Sequence, residues 1–280
     1  AQKTPAAVKR GKTEPGMLLG ILIGKDSDIV LIKGETENFT PSSLSASLPP
    51  GLKLDKTELD GKLFSLTISG RVEQLSSRLT VTASDGSGKI SRDLTLNAPF
   101  LVCSNLPSPH WWKADNFSSP ATGVDNAIAA GTPIEEAKVN GAAPQWLVYY
   151  PSADLAGGKD PSAVDFCAFS NGSVCNAGYA IRYVYSEKAI PAALDINSKL
   201  FAGTIHLTVS LNGSAVYNDL ITAKPDRKAQ VKVDLKAGWN QLAIKSNHTN
   251  WQWTQSVNLV GADGKALPGL KYALSIPAAK

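Results

Sequence analysis

Apolar and polar residues alternate one by one along much of the chain. In "LFSLTISGRV", Phe64, Leu66 and Ile68 share one face and Ser65, Thr67 and Ser69 the other. "SRLTVTASDG" sets Leu79, Val81 and Ala83 against threonines, and "TIHLTVSLNGSAVY" lines up Ile205, Leu207, Val209 and Leu211. A period of two is the signature of a half-buried strand. The runs are short and end in turn residues. Asn212-Gly213 between apolar runs predicts a tight hairpin. Lys236 to Gly238 predicts another, between Val231, Val233 and Leu235 on one arm and Leu242 and Ile244 on the other. Helical periodicity is scarce, and the best candidate, Pro133 to Val139, covers two turns at most. Many short strands with turn signals between them predict an all-β chain of two β-sandwiches.

The alternation lapses at "NAPFLVCSNLPSPHWW", whose prolines are expected to interrupt regular structure. This places a boundary at residues 98–110. The expected division is a tail at 1–16, one sandwich at 17–100 and a larger one at 101–280, since 280 residues suit two domains better than one. The tail carries the one basic cluster, Lys3 to Lys12, without apolar periodicity. It reads as a solvated tail or a strand donor rather than a nucleic-acid arm.

Composition narrows the setting. Charged residues are 19% and apolar residues 43%, and the formal charge of +4 is scattered. That balance is common in secreted β proteins. The longest apolar run, "MLLGILIG" from Met17 to Gly24, falls far short of the about 20 residues of a membrane span, and no cleavage region follows it. The opening "AQKTPAA" is compatible with a mature N-terminus left by signal-peptide removal. We therefore expect a secreted or cell-surface protein. Of three cysteines, Cys167 and Cys175 flank "AFSNGSV", whose central Asn171-Gly172 turn could bring them into a disulfide; Cys103 is left over.

Two stretches resemble known families. "SASLPPGLKLD", "LTISGRV" and "LTVTASDGSGK" are similar in order to the cadherin-like, Ig-type repeats of bacterial surface proteins, over residues 44–96. That resemblance implies a spacer or adhesive module without catalytic groups. Gly70 permits the tight bend after Ile68, and Asp85-Gly86 begins a hairpin. "GYAIRYVYSEKAIPAALDI", "LTVSLNGSAVY" and "VDLKAGWNQLAIKSNHTNWQWTQSVNLVGADGKALPGLKY" resemble the galactose-binding-like jelly rolls of bacterial secreted proteins, over residues 177–272. That resemblance implies a binding module, and it admits a structural calcium held by carboxylates and carbonyls, with no ligands assigned. No other cofactor is expected. Residues 111–165 carry no motif.

Catalytic constellations are missing. The three histidines form no H-E-x-x-H, and no G-x-S-x-G elbow exists. "DGSGKI" lacks the spacing of a phosphate loop, and Glu135-Glu136 are adjacent and point apart. Two aromatic clusters remain. "PHWWKADN" offers Trp111 and Trp112, which cannot both be buried on one sheet face. "NHTNWQW" sets Asn247, His248 and Asn250 beside Trp251, in what reads as a polar loop. Indoles flanked by amides suit sugar stacking, and packing into a core is the competing use. Three functions follow. The first is a non-catalytic glycan-binding jelly roll on an Ig-like spacer. The second is a self-assembling subunit of a surface layer, sheath or filament, partnered by its own copies. An enzyme is the least favoured.

Overall fold

The computed structural model describes residues 16–23, 29–107, 122–132, 134, 137–138, 144–151, 160–166, 176–200, 203–222, 227–248 and 253–276. The chain is all-β apart from one short helix among these residues. The first sandwich comprises β1 (Gly16–Ile23), β2 (Ile29–Glu37), β3 (Ser43–Ser47), β4 (Leu52–Asp60), β5 (Leu63–Gly70), β6 (Ser76–Ser84) and β7 (Lys89–Asn97). One sheet runs β1-β2-β5-β4 and the facing sheet β3-β6-β7, all antiparallel. The alternation explains the core: Phe64, Leu66, Ile68, Leu79, Val81, Ala83, Leu94 and Leu96 all point between the sheets and are buried. Asp85 closes the β6–β7 hairpin by accepting hydrogen bonds from the Ser87 and Gly88 amides at 2.9 and 2.8 Å.

The second sandwich begins almost at once. β8 (Phe100–Pro107) starts three residues after β7 ends. The stretch expected to be an irregular boundary is therefore a strand inside the largest sheet, hydrogen-bonded to both neighbours. The reason is burial on both faces. Phe100 and Val102 enter the sandwich core, while Leu101 and Cys103 are covered from the other side, so the run reads as continuously apolar. Pro107 sits at its last position, where a missing amide disturbs little.

The remaining strands are β9 (Leu147–Tyr149), β10 (Ala163–Asp165), β11 (Asn176–Ser186), β12 (Ile190–Leu200), β13 (Thr204–Leu211), β14 (Ser214–Thr222), β15 (Arg227–Leu235), β16 (Gly238–His248), β17 (Trp253–Val260) and β18 (Lys271–Ala273). A large sheet runs β14-β13-β16-β11-β8-β9, with β18 also paired to β11, and faces a smaller sheet, β10-β17-β12-β15. The hairpin at Asn212-Gly213 forms as expected, with φ of 52° and 83°, the left-handed pair a type I′ turn demands. The Lys236–Gly238 turn is held by Asn240, which accepts from the Lys236 amide at 3.0 Å and donates to its carbonyl at 2.9 Å.

One helix forms upstream of the stretch that the periodicity singled out, and most of that stretch lies outside the described residues. α1 is Thr122–Ala130, upstream of Pro133 to Val139. Its stripe is Val124, Ala127 and Ile128, which pack with Ile134 and Ala137 over Cys103, Tyr179, Ile181 and Ala243 on the outer face of the large sheet. Glycine, threonine and asparagine make it a weak helix on its own, so docking rather than propensity holds it. It stops at Gly131 (φ 66°), where the Gly131 amide donates to Ile128 and that of Thr132 to Ala127.

Candidate functional site

α1 covers only part of the large sheet's outer face. On β13 the outward residues are His206, Thr208 and Ser210, and on β16 they are Ala243, Lys245 and Asn247. A pocket of about 130 Å3 lies between these strands and the helix, lined among others by Asp125, Thr208, Ser210, Gly213 and Lys245. The hairpin turn closes one end. A Cβ on Gly213 would sit 2.8 Å from the Ala129 carbonyl, so only glycine lets the turn approach the helix end this closely.

The pocket's chemistry is an ordered ion pair. Lys245 Nζ donates to Asp125 Oδ2 at 2.6 Å, and its ammonium lies 5.7 Å from the centre of the Tyr179 ring. The Tyr179 hydroxyl donates to Asp125 Oδ1 at 3.0 Å. Burial, reinforced by the Asp125 charge, pushes the Tyr179 phenol well up, which keeps it a donor. The Lys245 side chain is only 14% exposed against 36% for Asp125. A pair this sheltered is screened less than one on the surface. Both groups keep hydrogen-bonding capacity to spare, since an ammonium has three donors and a carboxylate about four acceptor positions. Beside them, Thr208 Oγ1 donates to Asn218 Oδ1 at 3.3 Å, and His206 Nε2 shares that oxygen at 2.6 Å.

Farther along the same face, Tyr185 and Trp239 are cross-strand neighbours, half-buried, with ring centres 5.3 Å apart and planes at 60°. Gln241 Nε2 donates to the Tyr183 hydroxyl at 3.3 Å in the next pair.

Of the residues singled out in the sequence, Asn247 stands on the outer face opposite His206 and is 2% exposed. His248 is the last residue of β16, so the stretch through it is strand and not loop, because its backbone pairs with β11 and β13. Its side chain, together with Trp111, Trp112, Asn250, Trp251, Cys167 and Cys175, lies outside the described residues. Cys103 is buried under α1, and burial pushes its thiol up to about 12. Among the described residues no cluster of His, Cys, Asp and Glu could hold a metal ion, and no helix is long and apolar enough to cross a membrane.

Sequence reading missed Asp125, Lys245, Thr208 and Ser210. The hydroxyl-rich outward face of "HLTVSLNG" was a signal for two of them, and Asp125 sits in a stretch without a motif.

No protein family matches the chain, and no curated protein does either. Among solved structures, a carbohydrate-binding module of the β-sandwich superfamily is similar over 90% of this chain and 98% of its own, at 8% identity and a TM-score of 0.25. An anti-sigma factor domain-containing protein aligns over 94% of this chain and 82% of its own, at 9% identity and a TM-score of 0.30. A secreted serine protease from Vibrio cholerae aligns over 86% of this chain at 6% identity and a TM-score of 0.24, and the chain spans 48% of it, about half its length. Likenesses of this strength carry no argument about what the chain does.

Proposed function

We propose that the chain is a non-catalytic, secreted or cell-surface protein that binds a glycan through its second sandwich, with the first, Ig-like sandwich as a spacer. One observation carries this reading: a sheltered Asp125–Lys245 pair in a small pocket walled by Thr208 and Ser210 on a rigid sheet face. A carboxylate and an ammonium side by side suit adjacent hydroxyls of a sugar, accepting from one and donating to the next. The half-buried Tyr185–Trp239 pair supplies an aromatic surface on the same face.

The test is retention on polysaccharide gels. Lys245→Met and Asp125→Asn are each expected to weaken binding about tenfold or more, the scale of a lost hydrogen bond to a charged group. The fold should stay intact by circular dichroism. Trp251→Ala serves as the comparison, since Trp111, Trp112, Asn247, His248, Asn250 and Trp251 are the other proposed contact surface. If Trp251→Ala abolishes retention and the pocket variants do not, the glycan sits at the β16–β17 end instead.

Self-assembly is the second reading, and one observation favours it. Leu59 and Leu63 are 39% and 53% exposed and flank a groove of about 490 Å3 on the first sandwich. An assembling subunit should sediment as large particles without ligand, and Leu63→Lys should disperse them.

A further inference from the structure

Alternation on β11 sends Ala180, Arg182 and Val184 into the core of the second sandwich. Arg182 is thus a full positive charge at 0% exposure, the only charged side chain buried among the described residues. Its guanidinium lies between two rings, 4.2 Å from the centre of Phe100 and 4.8 Å from that of Tyr272. Nη2 donates to Ser162 Oγ at 2.8 Å and to the Val257 carbonyl at 3.3 Å. Nε and Nη1 are buried and have no acceptor among the described residues. Those two atoms carry three of the five N–H groups of a guanidinium.

No carboxylate stands within ion-pair distance of Arg182 among the described residues. Asp160 supplies a counter-charge only at a distance, across Ser162, whose Oγ accepts from Arg182 and whose amide donates to Asp160. It accepts from Ser256 Oγ, from Asn258 Nδ2 at 2.9 Å and from the Ser162 amide at 3.0 Å. A buried charge without a direct ion pair and with N–H groups left over is a costly arrangement in a protein interior. Phe100 and Tyr272 both pack against the guanidinium, so a further partner is expected where the uncommitted Nε and Nη1 lie.

We propose that Arg182 holds a small inorganic anion of the halide class inside the second sandwich. Water can accept the free N–H groups; a halide accepts them and also places beside the guanidinium the negative charge that Asp160 supplies only from a distance. Full burial of Phe100, Ser162 and Arg182 favours a monatomic ion over an oxyanion. The way in is marked by Tyr272, which covers Arg182 and also lines a cleft of about 360 Å3 with Glu73, Leu75, Leu267 and Lys271. The Tyr272 amide donates to the Glu73 carbonyl at 2.8 Å, so the loaded ion steadies the strand that joins the two sandwiches.

The experiment is thermal melting of the full chain in sodium fluoride, chloride and bromide at matched ionic strength. An ion bound only by the folded state raises the melting temperature with the logarithm of its concentration. Chloride and bromide should therefore stabilise more than fluoride, opposite to the general order in which strongly hydrated salts stabilise. Arg182→Met should remove that difference. Bromide soaked into crystals of the unmodified protein should give an anomalous peak at Nε and Nη1, a readout that does not depend on the variant folding. The idea is overturned if halides are indistinguishable at matched ionic strength, if their order survives in Arg182→Met, or if no bromide peak lies beside Arg182.

Discussion

Gly70→Ala should destabilise the first sandwich by several kcal/mol. Gly70 has φ +105°, and a Cβ there would lie 2.0 Å from the Gly51 carbonyl oxygen and 3.2 Å from the Leu52 Cα. These are backbone atoms, so no side chain can swing aside. The approach exists because the end of β5 crosses the start of β4, where Arg71 donates its amide to Gly51 at 3.0 Å. Positive φ alone costs a residue with a side chain about 1–3 kcal/mol. Separating the two strands adds loss of the contacts that seat Leu52 and Leu54 on the core. Against a typical stability of about 5–15 kcal/mol, that is a large share. Gly61→Ala is the control: φ is +60°, but nothing lies within 4 Å of the added carbon, so it should cost only about 1 kcal/mol. Urea unfolding of both variants checks this. A Gly70→Ala protein as stable as Gly61→Ala would mean that the β4–β5 crossing relaxes freely.

What the sequence disclosed follows from which faces are wet. Strands with one buried face, such as β5, β6 and β13, announce themselves by alternation, and their turns by Asn-Gly and Asp-Gly. β8 hid because Cys103 lies under α1 and Leu101 is buried too, while Phe100 and Val102 fill the core. α1 hid because nine residues with one short stripe carry little signal. The candidate pocket hid for a related reason. Thr208, Ser210 and Lys245 sit on the polar side of their strands, where polar residues are the default. Only the position of α1 turns them into the walls of a pocket, and that position is a tertiary fact. Arg182 was missed, although it is a lone charge inside the continuous apolar and aromatic run "YAIRYVY", and its neighbours on both faces are buried.

The helix that makes the pocket can be tested through one atom. Gly123 lies in the first turn of α1, and a Cβ there would be 1.7 Å from the Lys138 carbonyl oxygen and 2.8 Å from its carbon. Gly123→Ala must push the helix or the chain at residue 138 away. Forcing extra atoms into a packed site costs about 1–3 kcal/mol, occasionally more. Val124, Ala127 and Ile128 would lift from Cys103 and Tyr179, and Asp125 would leave Lys245. Two readouts should therefore change together. Polysaccharide retention should fall as it does for Asp125→Asn. The Cys103 thiol, 2% exposed and pushed up to about 12 by burial, should be inert to alkylation in the parent and reactive in the variant, as thiol reactivity follows exposure and thiolate fraction. Peptide mapping after a short alkylation measures this site apart from the other cysteines. Gly131→Ala separates docking from helix propensity. Its φ is +66°, but space around it is open, so it should weaken the helix end by about 1 kcal/mol and leave Cys103 protected. If Gly123→Ala keeps Cys103 protected and retention intact, the chain at residue 138 has yielded and α1 has kept its seat. If Cys103 reacts and retention persists, the glycan does not need α1, and the Asp125–Lys245 pocket is not where it binds.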